Sequence, residues 1–190
     1  DGSVYVGSGY PGRKGPGLHL YAIDQQTGQE RWRFETKGPI SSSPMVTDGV
    51  VYFGSADGRL YAVDSHGGQE LWHFESGGRI HSSPALANGM VYFGSEDWHL
   101  YALDAKTGQE QWRFKTGYWV HSSPAIADGV IYIGSNDRHL YALDSQTGQQ
   151  LWRFATNGSI LSSPVIVDGV VYFGSQDFHL YAVRAGRPAE

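Results

Sequence analysis

Short apolar runs, cut by glycine and by polar turn residues, set the pattern of this chain. From Ser82 onward one stretch divides into "SSPALA", "MVYFGS", "HLYALD" and "QEQWRFKT", with breaks at Asn88-Gly89, at the tip "EDW", at "AKTG" and at Gly117. Asn-Gly and Asp-Gly pairs suit tight hairpins, because both central residues accept positive φ. Strands joined by such short loops pair antiparallel, so the stretch predicts a four-stranded meander, lettered A to D in chain order. The B and C runs are almost continuously hydrophobic, a pattern that predicts burial on both faces.

The same unit recurs. Trp32, Trp72, Trp112 and Trp152 are spaced by 40 residues, as are Pro44, Pro84, Pro124 and Pro164, and Gly54, Gly94, Gly134 and Gly174. Only the first copy breaks register: "GSGYPGRKGPGLHLYAID" holds seven residues more than "GSADGRLYAVD", and reads as a lengthened loop. A four-stranded sheet buried on both faces needs a sheet on either side. Radial stacking of such sheets about an axis gives an all-β fold, a β-propeller of four-stranded antiparallel blades. The units fall near 1–36, 41–76, 81–116, 121–156 and 161–190, about five blades' worth of sequence and 18 strands. The chain opens with strands B, C and D and closes with A, B and C. Both ends therefore supply B and C, and the expectation is a partial or incompletely closed ring. It reads as a segment of a larger propeller, an arc closed by another chain in a homo-oligomer, or a five-bladed ring with incomplete first and last blades.

The segment from Ala102 to Trp112, "ALDAKTGQEQW", resembles the tryptophan-docking motif A-x-D-x-x-T-G-x-x-x-W of pyrroloquinoline-quinone-like (PQQ-like) repeats. Ala22 to Trp32 and Ala142 to Trp152 match it fully, Ala62 to Trp72 departs only at Gly67, and the fifth copy fails at Arg184. The residues have their own physical reading. Asp104 can accept from turn amides, Gly108 can take the left-handed conformation, and small Ala102 leaves room for a flat indole. A buried indole N–H needs an acceptor, which a neighbouring blade's carbonyl can supply. Trp32, Trp72, Trp112 and Trp152 are thus expected to dock each blade on the next.

Composition narrows the function. Net charge is −5 with no basic run, which argues against a nucleic-acid or anionic-membrane partner. The apolar runs are far too short for a spanning helix, so no membrane insertion is expected. Asp1, with no initiator Met or signal sequence before it, reads as an internal or processed start. The resemblance implies either a binding or scaffold module, as in bacterial extracytoplasmic assembly lipoproteins and sensor regions, or a quinoprotein dehydrogenase. The dehydrogenases use a longer chain, a vicinal disulfide over the cofactor, a bound calcium and a catalytic Asp. This chain has no cysteine, and its aspartates (Asp64, Asp104 and Asp144; Asp57, Asp97 and Asp137) sit in repeated turns. A non-enzyme without cofactor is expected, a fragment of a quinoprotein being the less favoured reading. Ser82-Ser83 recurs as Ser42-Ser43 and Ser162-Ser163, so these serines read as backbone partners rather than nucleophiles. His99, His139 and His179 lie on successive sheets ~10 Å apart, too far to share an ion with ~2 Å bonds. His81 and His121 start innermost strands and approach more closely, yet two ligands do not make a site, so no metal is expected.

Alternating strand direction puts the D–A links and B–C tips on one face of the disc, and there the copies diverge. The tip series runs Gly58, Trp98, Arg138, Phe178; the link series runs Pro39, Arg79, Trp119, Ser159, with Tyr118 beside Trp119. The long insertion, with Tyr10, Arg13 and Lys14, falls on the same face. Residues that vary between copies are not required by the shared blade geometry, and aromatics with arginine suit recognition. The candidate binding surface is therefore Trp98, Tyr118 and Trp119, with Arg79, Arg138, His81, His121 and Phe178 around it. Its ligand is read as a protein partner or as a small ligand or glycan stacking on the rings. The bland alternative is that Trp98 and Trp119 only pack on each other as loop staples, or that the copies have drifted.

Overall fold

The computed structural model describes residues 2–9 and 18–186; the insertion residues Tyr10, Arg13 and Lys14 lie outside them, as does the end of the last unit. The described chain forms 18 strands and no helix. The first sheet holds β1 (Ser3–Gly7), β2 (His19–Asp24) and β3 (Glu30–Glu35). The second holds β4 (Met45–Thr47), β5 (Val50–Gly54), β6 (Arg59–Asp64) and β7 (Glu70–Glu75), and the third β8 (Ala85–Ala87), β9 (Met90–Gly94), β10 (His99–Asp104) and β11 (Glu110–Lys115). The fourth holds β12 (Ala125–Ala127), β13 (Val130–Gly134), β14 (His139–Asp144) and β15 (Gln150–Ala155), and the fifth β16 (Val165–Val167), β17 (Val170–Gly174) and β18 (Leu180–Arg184). Each sheet is an antiparallel meander in chain order, the blade predicted from the pattern.

The turns form as their chemistry demands. Asp48-Gly49, Asn88-Gly89, Asp128-Gly129 and Asp168-Gly169 all take positive φ at both positions. In the C–D turn the Asp104 carboxylate accepts from the Lys106 and Thr107 amides and the Thr107 hydroxyl. These bonds, the Thr107 hydroxyl foremost, hold its pKa below the usual carboxylate range. The A strands are shorter than the sequence suggests, covering only Ala85–Ala87 and its equivalents. Pro84 has no N–H for a ladder, and the serines before it bond elsewhere. The amides of Ser43, Ser83 and Ser123 donate to the hydroxyls of Ser83, Ser123 and Ser163 of the next unit. That hydroxyl chain ties the innermost segments together around the axis.

Between sheets the contacts repeat with the same period. The indole N–H of Trp32 donates to the Ser65 carbonyl at 3.0 Å, Trp72 to Ala105 at 3.2 Å, Trp112 to Ser145 at 3.2 Å and Trp152 to Ala185 at 3.3 Å. Each of those carbonyls accepts a second bond from the same neighbour, the phenol of Tyr5, Tyr52, Tyr92 or Tyr132, at 3.0–3.1 Å. Phenol and indole also lie in tilted ring contact, 5.7–5.8 Å between centroids. The tryptophans are half-buried rather than buried, because strand D is the outermost of its blade and keeps one side toward water. Ala102 pairs directly opposite Trp112, with a bulge just beyond it, which leaves the indole free to lean across the blade boundary.

The stack is an open arc. Strands β5, β9 and β13 are buried along almost their whole length, as are β6, β10 and β14, each having a sheet on both sides. Their equivalents at the two ends, β1 and β18, alternate with exposed positions. The missing-neighbour effect is visible residue by residue. A Cβ on Gly68, Gly108 or Gly148 would run into the ring of Trp32, Trp72 or Trp112 at 2.6–2.7 Å, whereas one on Gly28, which has no preceding indole, meets nothing within 4 Å.

Gly28 and Gly108 share a φ of 70°, so alanine at either adds the same backbone strain, about 1–2 kcal/mol. Gly108→Ala adds the collision with Trp72, typically a further ~1–3 kcal/mol of overpacking. Chemical denaturation of the two variants should therefore show Gly108→Ala clearly the less stable. Equal losses would mean that the indole contact contributes nothing.

Candidate functional site

The variable rim forms where the B–C tips meet the D–A links. Each tip is anchored to the link before it: the Glu96 amide donates to the Arg79 carbonyl and the Asn136 amide to the Trp119 carbonyl. The tip aspartates complete the joint, Asp97 and Asp137 accepting from the Gly77 and Gly117 amides and from the phenols of Tyr101 and Tyr141. These aspartates are framework, as their repetition suggests. His99 and His139 point their Nδ1 at the backbone carbonyls of Asp97 and Asp137 and lie against Tyr101 and Tyr141, local tip contacts with no shared focus.

At the junction of the third and fourth blades the candidate residues form one run of rings. Trp98 stacks on Tyr118 at 5.8 Å, Tyr118 meets Trp119 at 4.8 Å, Trp119 meets His121 at 5.6 Å, and His121 meets His81 edge-on at 5.4 Å. The Lys115 ammonium sits over Trp98, 5.7 Å from its centroid. Trp98, Tyr118 and Trp119 nevertheless remain 39, 42 and 36% exposed. Trp98 and Trp119 are thus joined through Tyr118 rather than packed directly on each other. Arg79 flanks His81 from the adjacent link and is exposed, as is Arg138 on the next tip. Phe178 stands apart on the fifth sheet, 99% exposed.

The tip position carries a conformational cost. Gly58 has φ 89°, and the residues that replace it keep the left-handed region: Trp98 at 77°, Arg138 at 74° and Phe178 at 69°. A large L-side chain there costs about 1–2 kcal/mol that glycine avoids. The blade geometry asks for glycine, and three copies hold something else.

Sequence reasoning missed Glu96. Its carboxylate lies between the two histidines, 3.4 Å from His81 Nε2 and 3.1 Å from His121 Nε2, with His81 Nδ1 bonded to the Ser41 hydroxyl at 2.6 Å. The ligating atoms of His81, Glu96 and His121 lie within 4.8 Å of one another. Burial, opposed in part by Glu96, pushes the His81 pKa below its ordinary value. The tip and turn aspartates repeat from blade to blade, but Glu96 does not, its copies being Ala56, Asn136 and Gln176. That break was the signal available in the sequence.

A large groove also opens on the opposite face, between the second and third blades, lined by Met45, Tyr52, Leu71, Trp72, Leu86 and Lys106. Its lining combines the recurrent Tyr52 and Trp72 with positions that differ between copies, such as Met45 and Lys106, and none of the rim residues reaches it.

Compared with known proteins, the chain matches the PQQ-like repeat family model described as outer membrane protein assembly factor BamB over residues 1–79, 17–118 and 56–187. No curated protein sequence matches it. Among solved structures, BamB from Moraxella catarrhalis superposes with a TM-score of 0.82 at 23% identity, over 97% of this chain and 55% of that one. The computationally designed Ika8 protein gives 0.83 at 19% identity, over 97% and 56%. Quinohemoprotein alcohol dehydrogenase from Comamonas testosteroni gives 0.77 at 18% identity, over 99% and 40%. The chain therefore spans about half the length of the first two. At these identities the likeness is one of fold.

Phe178→Gly should raise stability by about 0.5–1 kcal/mol in denaturant unfolding, since it relieves a left-handed Phe that touches little. Trp98→Gly should come out near neutral, the same relief being offset by lost stacking worth about 0.5–1.5 kcal/mol. A destabilised Phe178→Gly would show that the fold itself needs the tip ring.

Proposed function

The chain belongs to the PQQ-like repeat family, and on that premise we propose that it is a non-catalytic binding and scaffold module that holds a protein segment on its third-to-fourth blade rim. The observation that carries this is the exposed run Trp98–Tyr118–Trp119 at positions where the repeat requires no aromatic and, at Trp98, disfavours one. A backbone cost at Trp98 that the fold does not require supports a role for this side chain outside the fold. The flanking Lys115 and Arg79 favour a partner segment with acidic residues around apolar anchors. An extracytoplasmic setting in a bacterium, through association with envelope assembly, accords with the family. The absence of cysteine from the sequence speaks against the dehydrogenase reading, as the vicinal disulfide of those enzymes has no counterpart here.

The test is a peptide-display selection run beside a glycan array, with wild type and a Trp98→Ala, Trp119→Ala double variant. Acidic-aromatic peptides should be enriched by wild type, and the variant should bind them at least ~30-fold more weakly, about 2 kcal/mol, while remaining folded with a stability loss of about 1–3 kcal/mol from the missing ring contacts. Peptides that bind both proteins alike would overturn the assignment, and selective capture of glycans would replace the protein partner with a sugar.

A further inference from the structure

We propose that His81, Glu96 and His121 form a divalent transition-metal site, best matched to Zn²⁺, at the inner end of the rim. The inference goes beyond the binding role and does not depend on it.

Three features carry it. A tetrahedral ion with bonds of ~2.0–2.1 Å separates its ligand atoms by ~3.3 Å, and the carboxylate oxygen already stands 3.4 Å from one Nε2 and 3.1 Å from the other. Closing the histidine pair to the same spacing asks only for side-chain rotation, all three ligand atoms lying within 4.8 Å. The set of two imidazoles and one carboxylate is the open kind of zinc donor set, with a fourth position for water or an incoming group.

The second feature is support behind the ligands. The Ser41 hydroxyl holds His81 Nδ1 at 2.6 Å, which fixes the ring and leaves Nε2 for the ion, as outer partners of ligating histidines do. The Glu96 amide is tied to the Arg79 carbonyl at 2.9 Å, so the acid is presented from a fixed backbone. All three side chains are partly shielded, 18–24% exposed.

The third is that the blades do without them. The histidine position reads Ser41, His81, His121 and Leu161, and the acid position Ala56, Glu96, Asn136 and Gln176. Only one junction has histidine on both links with an acid between them. Two equivalent histidines on neighbouring links and one acid unlike its copies, meeting at one point with complementary donors, are not a requirement of blade packing.

Protein free of affinity-tag histidines, stripped with EDTA and dialysed, should be titrated with Zn²⁺ by calorimetry and with Co²⁺ by visible absorbance. The expected result is one Zn²⁺ per chain, a Zn²⁺-dependent rise in melting temperature, and the intense ligand-field bands of tetrahedral Co²⁺. His81→Ser and Glu96→Gln introduce residues that sibling blades already carry, so both variants should fold. Each should lose the one-to-one uptake and the bands, while Ser41→Ala should weaken binding about 10-fold and His99→Gln should leave it unchanged. Wild type without stoichiometric uptake, or uptake that survives both ligand variants, overturns the proposal and leaves the cluster a hydrogen-bonded one.

Discussion

One backbone carbonyl per blade boundary holds the arc together. Ser65, Ala105, Ser145 and Ala185 each offer a carbonyl with two lone pairs, and the preceding blade fills both, one from an indole N–H and one from a phenol O–H. A carbonyl at the edge of a packed interface is costly to leave unpaired, so a blade whose neighbour slides away loses two hydrogen bonds and the indole's apolar contact together. The turn that presents the carbonyl also brings its left-handed glycine onto the flat of the same indole. Sequence periodicity, turn chemistry and blade spacing all follow from this joint. Alanine opposite the tryptophan, aspartate to close the turn and glycine beneath the ring are what it needs.

Because each boundary is satisfied by a fixed set of residues, the rest of the rim is free to diverge. That freedom separates framework from function. Asp57, Asp97, Asp137 and Asp177 recur because each ties a tip to a link. Trp98, Tyr118, Trp119 and Glu96 do not recur, the histidine recurs only as the pair His81 and His121, and all six converge on a single junction. The left-handed Trp98 makes the distinction energetic as well as statistical. Repetition of blades built the disc, and local departure from repetition built the surface.

Much of the fold was legible in the chain. The four tryptophans and the Asp-Gly and Asn-Gly turns mark blade and period, and the surplus of B–C hairpins over D strands foretold an open arc. The tyrosine clamp was hidden because Tyr52, Tyr92 and Tyr132 sit inside apolar runs, where a phenol looks like any other core side chain. The indoles' half-burial was hidden as well: sequence indicates that a tryptophan faces a neighbour, but not that its strand lies at the outer edge. At the rim, the aromatics were found by comparing copies. Glu96 is visible to the same comparison, as an acid among Ala56, Asn136 and Gln176, but its meeting with two histidines from different links is visible only in the fold. Phe178, one of the same variable series, lies two tips away from Trp98, since a shared position in the repeat places residues on one face without bringing them into contact.

The joint between blades is tested most directly by equilibrium unfolding of Trp112→Ala, read beside wild type. Loss of the indole leaves the Ser145 carbonyl with one donor and opens the contact with Gly148, so stability should fall by about 2–4 kcal/mol, somewhat under the ~3–5 kcal/mol typical of a fully buried Trp. Hydrogen exchange should quicken first at the boundary of the third and fourth sheets. An unfolding midpoint that does not move would contradict the claim that these indoles hold the blades in their stack.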